Sequence, residues 1–202
     1  MNLNELRDEA YRIACEHGWH EKEYTEQHWI MLVITEISEA VNADRRNRHT
    51  DKLAFEHDTM NALREKHLYG EAFENYERSC FNAYIKDTVE DEFADVVIRI
   101  LDLSGLYAVD LDMMPNAFKV YDSDTDRLLR QYIESVSMNE FAYSCTLRTV
   151  DICEHEISWG DIQCLLHRIY IYSIIKGFDL EWHVRQKMHY NESRPYKHGK
   201  NY

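Results

Sequence analysis

Two carboxylate pairs interrupt apolar stretches of this chain, and both have the three-residue spacing that places side chains on one helix face. Glu36 and Glu39 lie among Trp29, Leu32, Val33, Ile37 and Ala40, while Glu92 and Asp95 lie beside Phe93, Val96, Val97 and Ile100. Carboxylates inside such runs are costly to desolvate unless a cation compensates them. Two helices packed side by side would converge all four acids on one spot. Hard oxygen donors in that number suit Mg²⁺, with Mn²⁺ as the alternative, and waters and a substrate phosphate to complete the octahedron. The competing reading puts these acids at the edges of the apolar stripes, paired with Arg45, Arg46 or Arg99. Spacing alone does not decide, because Glu23/Glu26, Glu71/Glu74 and Glu74/Glu77 share it in polar surroundings. A di-iron bundle is excluded, since it requires Glu-x-x-His pairs and no Glu here has a His three residues later.

The C-terminus has the opposite charge. Residues 182–202 hold five Lys or Arg against one acid, a balance of +4 in a chain of −14, which leaves −18 on residues 1–181. Lys187, Asn191 and Arg194 recur at i, i+4, i+7, so a helix would present an ammonium, an amide and a guanidinium on one face. That trio suits a polyphosphate, with Lys as a point charge, Arg as a bidentate fork and Asn as a neutral donor. Beyond Pro195 the chain must leave the helix, and Lys197, His198 and Lys200 are expected to wrap over the ligand. The alternative is an ordinary solvated terminus; the large side chains of Tyr190 and Tyr196 stand against it.

Three pieces in this order resemble the MazG-like members of the all-α nucleotide pyrophosphohydrolases. They are the ExxE of Glu36 and Glu39, the ExxD of Glu92 and Asp95 followed by VVIRILDL, and the tail DLEWHVRQKMHYNESRPYKHGK from Asp179. The resemblance implies a helical bundle of the all-α NTP pyrophosphatase type that binds Mg²⁺ and does its catalysis through Glu36, Glu39, Glu92 and Asp95. It also implies hydrolysis of an NTP or dNTP to the monophosphate and pyrophosphate, for house-cleaning or pool control, by a homodimer or homotetramer. Lys187, Asn191, Arg194, Lys197, His198 and Lys200 would then bind substrate phosphates; Trp29, two turns before Glu36 on nearly the same face, and His28 are the candidates for stacking on the base, and the carboxylate that takes the proton from water is unassigned, with Glu39 one candidate. Narrower activities on dUTP, dCTP or phosphoribosyl-ATP fall in the same class. Length is the departure: in such relatives the DLE helix follows the ExxD helix directly, whereas here Asp110-Leu111 is followed by Asp179-Leu180 only 69 residues later. That detour keeps a non-catalytic nucleotide sensor or scaffold, or a purely structural helical protein, among the readings.

The elements that must position these residues are helical. With 202 residues, 6 Gly and 2 Pro, the chain has few breakers, and no segment alternates with period 2. The expectation is a single all-α domain, its metal and nucleotide core formed by residues 1–111 and 157–202, with an insertion over about 112–156. Helices are expected over 4–17, over 25–48 with Thr25 as cap, over 82–107, over 161–176 ending at Gly177, and over 179–192 capped by Asp179. Residues 47–80 read as polar and irregular with a short helix near 70–79, and 112–156 as holding one or two short helices. Arg99-Ile100, Ser104 and Asp110-Leu111 recur as Arg168-Ile169, Ser173 and Asp179-Leu180, which fits either an old duplication or similar helix ends. In that register Asp161 and Cys164 replace Glu92 and Asp95, so one metal site per chain is expected. Five cysteines without a CxxC pair fit reduced thiols in the cytoplasm. The charged N-terminus does not read as a signal peptide, no apolar run is long enough for a bilayer, and the net negative charge argues against coating a nucleic acid polymer.

Overall fold

Thr88 marks the start of the helix around which the others gather. Its side chain accepts a hydrogen bond from the Asp91 amide, and α5 (Val89–Leu106) follows, with Phe93, Val96, Val97, Ile100 and Leu101 fully buried. The computed structural model describes residues 2–111, 123–153 and 158–196. Around α5 lie α1 (Leu3–Glu16), α2 (Glu26–Arg45) and α9 (Leu180–Glu192). Their apolar faces meet in one core that includes Leu6, Ile13, Val33, Ile37, Val184 and Met188. The remaining helices are α3 (Lys52–Arg64), α4 (Glu71–Tyr84), α6 (Asp124–Ser135), α7 (Met138–Asp151) and α8 (Trp159–Lys176). Among the described residues there is no strand, and the molecule is an all-α helical bundle.

The region expected to be irregular, 47–80, folds as α3 and most of α4. Its apolar residues are sparse but sufficient: Phe55, Cys80, Phe81 and Ile85 form a second small core, closed by Trp182 and Tyr190 of α9. The helix expected over 82–107 divides at residues 85–88. Asp87 turns left-handed with φ 58°, and its amide donates to Asp91 Oδ2 at 3.0 Å, so α5 starts afresh at the Thr88 cap. Thr25 precedes α2 as expected, but its side chain makes no capping hydrogen bond. Ser137 and Glu140 close a capping box at α7, and Asp179 caps α9 by accepting from the Trp182 amide.

Between Leu111 and Ser158, the described residues form α6 and α7. Ile133, Phe141, Cys145 and Ile152 bury into the same core as α2, α5 and α8. All five cysteines are free thiols. Among the described residues, no helix is long and apolar enough to cross a membrane.

α1 and α5 approach closely because Gly105 has no side chain: a Cβ there would lie 2.5 Å from Tyr11 Cβ. Gly105→Ala must push these helices apart, and overpacking of this kind costs about 1–3 kcal/mol. A lowered midpoint in thermal or urea unfolding, without loss of helicity in the folded state, is the expected result.

Candidate metal and phosphate site

One cleft of about 330 Å³ runs between α1, α2, α5 and α9, within the size range of small-ligand pockets. It contains all four acids expected to hold a metal, Glu36, Glu39, Glu92 and Asp95, and also Lys187, Asn191 and Arg194 from the C-terminal segment. Three chain regions, 36–39, 92–95 and 187–194, therefore share one surface.

Three of the acids form a tight group. Carboxylate oxygens of Glu36, Glu39 and Glu92 all lie within 4.8 Å of one another, with Glu36 and Glu92 buried and Glu39 exposed. Arg99 Nε donates to Glu36 Oε1 at 3.0 Å, so the arginine pairing weighed as an alternative is present beside the cluster rather than instead of it. Burial, then the charge of Asp95, pushes the Glu36 carboxyl up to about 7, partly offset by Arg99. Glu92 goes further, to about 9, through burial first and Asp95 second. Both shifts record acids packed together without enough positive charge. The donor set is all hard oxygen, so Glu36, Glu39 and Glu92 fit a divalent cation of the Mg²⁺ type.

Asp95 is not one of this trio, though its charge bears on Glu36 and Glu92. Lys187 Nζ lies 2.6 Å from Asp95 Oδ2 and 2.8 Å from Asp91 Oδ2, a buried ammonium clamped between two carboxylates of α5. Burial favours the neutral amine, but Asp95 and Asp91 outweigh it and raise the Lys187 pKa. Asp91 is pushed up to about 6 by burial against the pull of Lys187, which leaves the pair charged at neutral pH. Asp91 Oδ1 is buried without a hydrogen-bond partner. Lys187, expected on phosphate, is thus also an ion-pair partner of α5, and Asp91 joins Asp95 in holding it. The signal for Asp91 was present, since it lies four residues before Asp95 on the same face.

The C-terminal segment is fastened down as far as it is described. His17 Nε2 donates to the Arg194 carbonyl at 2.9 Å, and Arg12 pairs with Glu192 at 2.9 Å. Tyr196 packs over Gly18, where φ is +77° and an added Cβ would lie 2.4 Å from the ring. A loose solvated end is thus excluded for residues 180–196. Because α9 stops at Glu192, Arg194 reaches the cleft from the turn beyond the helix, not from the helical face that its spacing suggests. Lys197, His198 and Lys200 lie outside the described residues.

The two base-stacking candidates are placed elsewhere. Trp29 is 6 % exposed and belongs to the core, its ring packed on those of His20, Tyr24 and His28. His28 stacks on Tyr24 at 4.1 Å. The indole that lines the cleft is that of Trp19, in the turn after α1, a position that helical periodicity does not evaluate. Among the described residues, Glu36, Glu39 and Glu92 are the one acidic or His/Cys group close enough to hold a metal.

Glu92 gives this site a pH signature. Its folded value, about 9, exceeds its ordinary value of 4.5, so the stability it contributes is full below about 4.5 and is lost as pH rises through about 9. Metal-free wild type is expected to lose stability relative to Glu92→Gln across that window. Paired urea titrations at several pH values check it, and added Mg²⁺ should shrink the difference.

The chain matches no family model, and no match was found among curated proteins or solved structures.

Proposed function

We propose that this protein is a divalent-cation-dependent nucleoside triphosphate pyrophosphohydrolase. A single observation carries the reading: one cleft brings together the Glu36, Glu39 and Glu92 cluster with Lys187, Asn191 and Arg194. An acidic cluster alone suits a cation and a cationic turn alone suits an anion. Side by side they suit a polyphosphate that carries its own cation.

Glu36, Glu39 and Glu92 would hold the ion, most simply Mg²⁺. Bound there, it would supply charge neutralisation on the phosphates and acidify a water. Arg194 offers a planar fork to phosphate oxygens and Asn191 an amide donor. Lys187 holds Asp91 and Asp95 in place and brings positive charge beneath the α5 end of the cleft. Glu39 is the exposed member of the cluster, and its carboxylate oxygens are assigned the proton of the attacking water. Water then bonds to the α-phosphorus, the bond to the bridging oxygen breaks, and the electron pair leaves with pyrophosphate. The long apolar side chains of Ile13, Leu32 and Ile98 line the cleft and limit the water that reaches it.

A panel of NTPs and dNTPs, with dUTP, dCTP and phosphoribosyl-ATP included, tests this reading when pyrophosphate and orthophosphate are measured separately with Mg²⁺ present. Pyrophosphate with the monophosphate is the expected pair of products. Nucleotide binding without turnover would make the protein a sensor or scaffold, and neither binding nor turnover would leave a structural bundle. Light scattering checks the homodimer or homotetramer that the resemblance implies.

A further inference from the structure

The cleft has a second end. Along α5 it touches Glu92, Asp95, Arg99 and Asp102, and at 1.5 Å per residue the first and last of these stand about 15 Å apart on the helix axis. α2 runs antiparallel alongside: Glu39 and Glu36 sit near Glu92, Arg99 pairs with Glu36, and Leu32 lies beyond. The cation cluster and Lys187 thus mark one end, and Asp102 with Trp19 and Leu32 the other. A nucleotide whose phosphates meet the first end extends its base toward the second.

Asp102 is built into that end. It is 3 % exposed and His20 Nε2 donates to its Oδ1 at 2.7 Å. The His20 ring is itself held between Tyr11 and Trp29, each at 4.9 Å between centroids. One carboxylate oxygen is thereby fixed and oriented, and Oδ2 takes no hydrogen bond among the described residues. A carboxylate offers acceptors only. Its partner on a base edge must be an N–H donor, the pairing an acid makes with an exocyclic amino group. A carbonyl at the same place would set acceptor against acceptor in a buried site.

We propose that Asp102 determines base specificity, selecting nucleotides whose base carries an exocyclic amino group over those with a carbonyl at that position. The inference rests on the nucleotide reading of the cleft, and monophosphates test it independently of hydrolysis. Calorimetric titration of the matched pairs CMP/UMP and AMP/IMP into wild-type protein with Mg²⁺ compares amino with carbonyl on otherwise similar rings. The amino member of the better-binding pair is expected to bind roughly tenfold to a hundredfold more tightly, the range for one hydrogen bond to a charged group. Asp102→Asn, which keeps the shape and adds a donor, should bring that ratio close to one. Equal affinity within both pairs, a preference for the carbonyl member, or no binding by either overturns the inference, and the wild-type comparison decides even if Asp102→Asn fails to fold. Pyrophosphate release without an amino preference would sink the Asp102 assignment alone. An amino preference without turnover would sink only the hydrolase reading.

Discussion

Glu92→Ala is expected to abolish nucleotide hydrolysis and divalent-cation binding together, while leaving the metal-free protein at least as stable as wild type. That combination is unusual, because truncating a buried side chain ordinarily costs stability. Here the side chain is a carboxyl whose ionisation burial and Asp95 together oppose, so at neutral pH its removal relieves the cost of holding it protonated in the fold as it opens a cavity. Loss of one of three ligands should exceed the roughly 10–100-fold penalty of losing a residue that only orients a metal ligand. The checks are pyrophosphate release, the Mg²⁺-dependent rise in melting temperature, and the melting temperature in EDTA. A variant that melts far below wild type in EDTA would show that Glu92 is a structural acid, paired and stabilising.

Lys187→Met is expected to have the opposite profile, with a large loss of stability whether or not metal is present. The ammonium is 6 % exposed and lies between Asp91 and Asp95. Methionine keeps much of the volume but leaves two acids uncompensated, and breaking a buried pair from one side costs about 3–5 kcal/mol. Putting Asp91→Asn into the same chain removes one orphaned charge and should recover part of the loss. An additive double variant would mean that the two residues do not interact. Chemical denaturation measures the Lys187→Met and Asp91→Asn single variants and the double variant, and hydrolysis should fall in each, since Asp91 holds Lys187 and both Lys187 and Asp95 line the cleft.

The carboxylate cluster was legible because each acid breaks an apolar run, and a residue that violates the local pattern at a cost is a signal in its own right. The all-α class followed from the scarcity of breakers, and the caps at Asp179 and Gly177 were visible as residue types. α3 was not legible, because its few apolar residues bury against Cys80, Phe81 and Ile85 at and beyond the end of α4 and against Trp182 and Tyr190 of α9, and periodicity within a window cannot register a distant partner. Lys187 was legible as a cation of the site but not as the partner of Asp91: a buried ion pair joins residues 96 apart, and nothing local distinguishes such a lysine from a surface one. Trp29 misled for the reverse reason. It lies two turns before Glu36 on nearly the same face of α2, but there that face is covered by the rings of His20, Tyr24 and His28, while Trp19 reaches the cleft from a turn.

Where a divalent ion sits is the most direct question to ask of the molecule. Crystals grown with Mn²⁺ and a nucleotide, measured for anomalous scattering, should show a peak bounded by Glu36, Glu39 and Glu92, with phosphate density between it and Arg194. A peak elsewhere, or none at millimolar Mn²⁺, would contradict the account and reduce the cleft to a set of buried acids held by Arg99 and Lys187.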